Sequence, residues 1–168
     1  MNPTNKHRIY LALGSNLGDR EANLGAGLKA LSPQVKILRE SPIYETAPWG
    51  YEEQEDFLNM VVEAETSLEP EALLAQLKAV EEAVGRTPTF RYGPREIDVD
   101  LLFYDDLVLE TDELTIPHPH LHERAFVLVP LANLAPDLRH PTLGRMIKEL
   151  VARVDSRGVV LYTRKGQP

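Results

Sequence analysis

The feature that most constrains this chain is the run Arg91-Tyr92-Gly93-Pro94-Arg95-Glu96-Ile97-Asp98-Val99-Asp100-Leu101-Leu102-Phe103. A Gly-Pro turn leads into a strand that carries two aspartates two residues apart. Residues i and i+2 of a strand point to one face, with a rise of roughly 6.6–7 Å between them. Asp98 and Asp100 therefore project together, and Ile97, Val99, Leu101 and Phe103 are expected on the opposite face. A sheet built on such a strand must keep one face open to water or to a ligand.

Two carboxylates on one face repel unless a cation lies between them. An oxygen-only donor set favours Mg²⁺ over zinc. Arg91 and Arg95 stand just upstream and offer forks for phosphate oxygens. Together these groups point to phosphoryl chemistry. The same spacing also fits an edge strand with one solvated face, because antiparallel sheets often leave one face wet. The flanking arginines and the apolar run from Ile97 to Tyr104 weigh against that simpler reading.

The remaining elements follow from periodicity and punctuation. Arg8–Leu13 reads as a buried strand broken by Gly14-Ser15-Asn16. Asp19 caps a helix to about Leu31, with Leu24, Leu28 and Leu31 on its stripe. Val35–Tyr44 reads as one strand, and Glu45–Asp56 as a long loop of the kind that often carries function. Phe57–Thr66 reads as a strand with Leu58, Met60, Val62 and Ala64 on one face and Phe57, Asn59, Val61 and Glu63 on the other. Pro70 opens a second helix with core positions Leu73, Leu77, Val80 and Val84, and Gly85 closes it. A loop over Arg86–Glu96 precedes the aspartate strand. A hairpin over Leu107–Thr115 and helices over Phe126–Leu134 and Leu143–Val154 complete the chain, with a frayed tail from Thr163. The order strand–helix–strand–strand–helix–strand predicts an α+β fold with a ferredoxin-like antiparallel sheet. Helices cover one face, and the other is left for ligands and for C-terminal helical and hairpin additions. A single domain over residues 1–168, with its core at about 8–154, is expected.

Composition narrows the function. The net charge of −8 disfavours a nucleic-acid surface. The absence of cysteine excludes disulfides, thiolate catalysis and Cys-ligated zinc. No apolar run reaches the length of a membrane span, so a cytoplasmic protein is expected, with no membrane partner. Nucleotide-binding glycine motifs are missing. Gly25-Ala26-Gly27 is a partial look-alike, better explained by close helix packing.

Arg-x-Gly-Pro-Arg-x-Ile-Asp-Val-Asp-Leu-Leu resembles the motif of the 6-hydroxymethyl-7,8-dihydropterin pyrophosphokinase family of folate enzymes. Ala12–Asp19, Ser41–Pro48, Phe57-Leu58-Asn59, Ile116-Pro117-His118 and Arg124–Leu131 resemble further segments of that family in the same order, and the likeness covers residues 8 to 150. The resemblance implies transfer of pyrophosphate from ATP to a pterin hydroxymethyl group, with release of AMP; a monomer is expected. It implies that ATP is held by side chains and two Mg²⁺ ions, with Asp98 and Asp100 as ligands and Arg86 and Arg95 as phosphate-handling catalytic residues. It also places Glu81, Leu101, Thr115, His118 and Arg124 beside ATP. On the pterin side it implies Thr46, Ala47, Trp49, Phe57, Asn59 and Phe126. Asn59 stands out from the residues alone, because an amide inside an apolar strand must find a hydrogen-bond partner.

Other readings stay open for single residues. Phe57 and Phe126 are also ordinary core aromatics, Glu81 a solvated helix residue, and His118, His120 and His122 a histidine-rich turn or a weak zinc site. The chain departs from the family pattern at Thr87-Pro88-Thr89, where basic residues are expected, at Tyr92 in place of tryptophan and at Pro119 in place of tyrosine. A two-metal phosphodiesterase or nuclease using the same aspartates and a non-catalytic ferredoxin-like ligand-binding module are the competing functions.

Overall fold

The computed structural model describes residues 5–47, 54–85 and 96–162. Its central strand, β1 (His7–Ser15), pairs antiparallel with β4 (Phe57–Thr66) on one side and β5 (Asp98–Tyr104) on the other. β2 (Val35–Glu40) and β3 (Tyr44–Thr46) both pair with β4, and β8 (Val160–Leu161) adds to β3. The strand order is β5-β1-β4-β3-β8, with β2 also on β4. With α1 (Arg20–Leu31) between β1 and β2, and α2 (Pro70–Ala83) between β4 and β5, this is the ferredoxin-like arrangement expected.

Local chemistry sets the helix ends. The Asp19 carboxylate accepts the Ala22 N–H at 3.1 Å, and Pro70 occupies the first turn of α2. Gly85, at φ +102°, takes the left-handed conformation just past α2. Leu24 and Leu31 of α1 and Leu73, Leu77 and Val80 of α2 join Ile9, Leu11, Leu13, Leu58, Met60 and Val62 in one core. Burying a side chain of this size contributes about 1.5–3 kcal/mol. Gly27 lets α1 sit close, since a Cβ there would lie 2.6 Å from Ile97 Cδ1. The Gly25-Ala26-Gly27 run is therefore a packing device.

The other face carries a second core. Tyr10, Val61, Leu102 and Phe103 pack against Val127, Leu128 and Leu131 of α3 (Ala125–Leu134) and against Ile147 and Leu150 of α4 (Ile147–Val151). The expected hairpin is present as β6 (Leu109–Glu110) and β7 (Thr115–Ile116).

Four elements differ from expectation. β1 does not stop at Leu13 but runs through Gly14 to Ser15. The strand expected over Val35–Tyr44 is interrupted: the Ser41 hydroxyl accepts the Val61 N–H at 3.0 Å, and Pro42 has no N–H to offer the ladder. The helix expected over Leu143–Val154 shrinks to Ile147–Val151, because Gly144 sits at φ +70° and Arg139 bridges to Met146. Phe103 leaves the face of Val99 and Leu101. The register shifts between Tyr10 and Leu11, which pair with Phe103 and Leu101, and this bulge sends both Leu102 and Phe103 toward α3.

Candidate active site

One row across the sheet organises the site. Gly14 pairs with Asn59 of β4 on one side and with Asp98 of β5 on the other. Tyr44 continues the row beyond Asn59. Neighbouring strands lie about 4.7–4.9 Å apart, so two spacings separate the amide strand from the carboxylate strand. The next row sets Asp100 beside Ala12 and Val61. Val61 and Ala12 pack toward α3, which identifies the face that Asn59, Asp98 and Asp100 share. Asp98 is half-buried and Asp100 exposed.

Asn59 is 7% exposed, and its Nδ2 donates to Thr46 Oγ1 at 2.7 Å. Thr46 is buried and pairs with Phe57 in the ladder. A short strand thus delivers a hydroxyl to an amide, and Phe57 stands beside them half-buried. Ala47 follows, exposed at the mouth of the loop. On the α3 side, Phe126 is half-buried with the Arg124 guanidinium 5.7 Å from its ring centroid. A cation over an aromatic face at that distance is an attractive pairing.

His118 joins the two sides. Its N–H donates to Leu102 O at 3.0 Å, and its Nδ1 accepts the His120 N–H at 3.2 Å. The neutral ring then carries its proton on Nε2. Burial pushes the His118 pKa down. The carboxylate of Asp100 pulls it back up, while Arg124 and His120 add to the lowering. The net result is a neutral donor placed among an aspartate and an arginine.

Glu81 is not on a solvated helix face. It is 8% exposed, and its Oε2 accepts the Val99 N–H at 2.9 Å, between the two aspartates. Leu101 points into the helix-side core, so only its main chain remains available to a ligand. Thr115 lies half-buried in β7. Trp49, Arg86 and Arg95 lie outside the described residues.

Two residues that periodicity did not single out hold the ends of the loop between β3 and β4. Arg20 Nη1 donates to Glu45 Oε2 at 2.6 Å and to Asp56 O at 2.8 Å. Asn16, 1% exposed, donates from Nδ2 to Gln54 Oε1 at 2.7 Å and to Glu55 O at 3.0 Å. Their signal in the sequence was faint: a buried amide and a cation next to a strand end.

Among the described residues no group of three or more His, Cys, Asp or Glu side chains gathers to hold a metal ion. The histidine-rich turn does not form a zinc site: His118 is engaged by a backbone amide, and His120 faces Glu123 at 3.2 Å. Two aspartates fit a different case. Mg²⁺ is commonly bound by one or two carboxylates together with substrate phosphates rather than in an all-protein cage. A groove of about 540 Å³ opens on the opposite, α1 side of the sheet, lined by Glu21, Leu24, Leu28, Pro42, Ile43 and Tyr162 among others. None of the candidate residues lines it.

A family model described as 7,8-dihydro-6-hydroxymethylpterin-pyrophosphokinase (HPPK) matches residues 10–136. The chain belongs to the HPPK family. It is similar to the 2-amino-4-hydroxy-6-hydroxymethyldihydropteridine pyrophosphokinase of Aquifex aeolicus, with 44% identity over 141 residues, covering 84% of this chain and 88% of that protein. The same-named protein of Bacillus subtilis is 41% identical over 158 residues, covering 93% of this chain and 90% of its own length. The folic acid synthesis protein FOL1 of Dictyostelium discoideum is 47% identical over 135 residues, which are 80% of this chain but 20% of FOL1. In three dimensions the chain resembles wild-type HPPK-DHPS of Plasmodium falciparum, crystallised with pteroate, at a TM-score of 0.73 and 17% identity. That likeness covers 89% of this chain and 44% of the other, and it supports the HPPK fold. Every described candidate residue falls inside the HPPK match, while α4 and β8 lie beyond it. Among the described residues no helix is long and apolar enough to cross a membrane.

Proposed function

We propose that this chain transfers the pyrophosphoryl group of ATP to the hydroxymethyl group of 6-hydroxymethyl-7,8-dihydropterin, releasing AMP, as a step of folate synthesis. The observation that carries this reading, within an HPPK-family chain, is the shared row: Asn59 and Asp98 flank Gly14 on one face of the sheet. One end of that row suits a heterocycle edge that presents donor and acceptor together. The other suits a polyphosphate and its cations.

In this reading Thr46 fixes the Asn59 amide, so that the remaining amide donor and acceptor meet the pterin edge. Phe57 and Phe126 offer aromatic faces to the ring, with Ala47 and Trp49 beside its edge. Asp98 and Asp100 would hold two Mg²⁺ ions, and these would supply neutralisation of the charge on the phosphates. Arg86, Arg95 and Arg124 meet phosphate oxygens, and His118 donates from Nε2. Glu81, Leu101 and Thr115 serve the nucleotide side, Glu81 by bracing the backbone of β5.

The pterin hydroxyl oxygen attacks the β-phosphorus. The bond from that phosphorus to the oxygen bridging it to the α-phosphorus breaks, and the bridging oxygen leaves with AMP. The hydroxyl proton passes to solvent or phosphate. Such a transfer depends on placing and charge stabilisation, so the chain needs no strong base.

The deciding experiment mixes the protein with ATP, Mg²⁺ and 6-hydroxymethyl-7,8-dihydropterin and separates the nucleotides by chromatography. AMP formed only when pterin is present supports the proposal. ADP would make the chain a simple kinase, and no nucleotide product would refute the transfer.

A further inference from the structure

Tyr162 follows β8 directly, beyond the stretch that the HPPK match covers. Glu45 pairs with Val160 in the ladder, and Tyr162 lies two residues further on, so Glu45 and Tyr162 share one face of the sheet. That face is the α1 side: Tyr162 packs against the helix-side core, and its N–H donates to Ile43 O at 2.9 Å. Arg20, at the start of α1, meets them there. Its Cζ lies 5.8 Å from the centroid of the Tyr162 ring. The same guanidinium donates to Glu45 Oε2 at 2.6 Å and to Asp56 O at 2.8 Å. The Arg20 side chain is 20% exposed, and a cation shielded from water gains more from an aromatic face than an exposed one. Each of its two acceptors stands one residue from a group assigned to the pterin. Glu45 precedes Thr46, and Asp56 precedes Phe57.

We infer that Tyr162 is a positioning residue for the pterin site: its ring fixes the Arg20 guanidinium, and Arg20 in turn holds Thr46 and Phe57 together. The inference rests on the function proposed above. The ladder by itself is a weak fastening at this point. β3 has three residues, and Thr46 with Phe57 is its last pair with β4. Such an end opens readily unless something ties it. Arg20 supplies the tie, but a long side chain loses much rotamer freedom when it is held in one place. The Tyr162 ring offsets that loss by giving the cation a surface to rest on. An apolar side chain of similar size fills the same space against the core yet offers a cation no attraction. Loss of the ring therefore loosens the tie, and with it the hydroxyl that orients the Asn59 amide.

The test uses the whole chain with two separate probes, oxidised 6-hydroxymethylpterin and a non-hydrolysable ATP analogue with Mg²⁺. In Tyr162→Leu, pterin affinity is expected to fall by about two- to fivefold, while affinity for the ATP analogue stays at the wild-type value. Tyr162→Phe keeps the ring and is expected to bind the pterin as wild type does. Wild-type pterin affinity in Tyr162→Leu overturns the inference, and so does an equal loss in Tyr162→Phe. A double-mutant cycle separates action through Arg20 from general loosening. In an Arg20→Gln background, Tyr162→Leu should cost no further pterin affinity, and an undiminished cost overturns the inference. One measurement needs no variant. Coupling between two binding events is reciprocal, so saturating pterin should slow the exchange of the Arg20 Nε–H with water in the wild-type protein. Unchanged exchange overturns the inference even if a variant fails to fold. A wild-type protein that binds the pterin but forms no AMP counts against the proposed reaction, and the affinities of the variants still decide the role of Tyr162.

Discussion

Glu81 Oε2 accepts the N–H of Val99 at 2.9 Å, so α2 grips β5 at the residue between Asp98 and Asp100. Among the described residues β5 is an outer strand of the sheet, and this bond satisfies the Val99 amide. Removing the acceptor leaves a buried donor unpaired, which costs about 1–3 kcal/mol. Glu81→Ala should therefore lower the denaturant midpoint and reduce turnover by loosening the aspartate strand. Glu81→Gln keeps an acceptor oxygen and should lose less of both. An alanine variant with a wild-type midpoint would show that the brace does not matter.

Asp100 is exposed and sits on the α3 side of the sheet. Asp100→Ala should abolish Mg²⁺-dependent turnover yet leave the folding midpoint within about 0.5 kcal/mol of wild type, as for most surface substitutions. Asp98→Ala should also abolish turnover with the fold retained. Steady-state rates across a Mg²⁺ titration check both. Full activity in either variant contradicts the metal assignment.

Asn59→Ala removes the amide that Thr46 orients. The loss of one hydrogen-bonded edge contact of about 1–2 kcal/mol corresponds to a roughly 5- to 30-fold weaker pterin complex. ATP-analogue binding should stay near wild type. Calorimetric titration with each ligand reads the two effects separately, and an equal loss for both would count against a pterin role.

His140 gives the α3–α4 face a pH dependence. It is 5% exposed, and its Nδ1 accepts the N–H groups of Thr142 and Leu143 at 3.2 and 3.1 Å. Burial lowers its pKa from the ordinary 6.5, and His122 adds to the lowering. Below 6.5 the unfolded chain takes up the proton while the folded chain resists it, so the unfolded state binds more protons in that window. Stability is fully present above that pH and falls as the medium becomes more acid, until the lower folded pKa is passed. In His140→Gln the midpoint should fall less on going from about pH 7 to pH 5 than it does in wild type. Parallel decreases in the two proteins would refute the coupling.

The residues that were legible in the sequence are those governed by strand parity. Asp98 with Asp100 and Phe57 with Asn59 need only the alternation of side chains, and the ladder places both pairs on the α3 side. What depends on a distant partner was not legible. The bulge that turns Phe103 exists because of how β1 meets β5, and nothing within Leu101-Leu102-Phe103 announces it. The break at Ser41 depends on Val61, which pairs with its backbone and its hydroxyl at once. β8 depends on β3, where Leu161 pairs with Tyr44 and Val160 with Glu45, and the Tyr162 N–H donates to Ile43 O at 2.9 Å. Glu81 read equally well as a solvated helix residue until Val99 was seen opposite it.

The Arg20 clasp on Glu45 and Asp56 separates two design problems. The chain on either side of the β3–β4 connection is fastened at its base, so Thr46 and Phe57 keep their places whatever is strung between the fastenings. Lengthening a flexible closed loop adds only about 0.6 kcal/mol per doubling. Homologues can therefore trade connections of different length and composition at this position while the ring-reading strands stay in register. An engineer can do the same: a library confined to residues 50–53 would vary the connection without substituting Thr46, Ala47, Trp49 or Phe57.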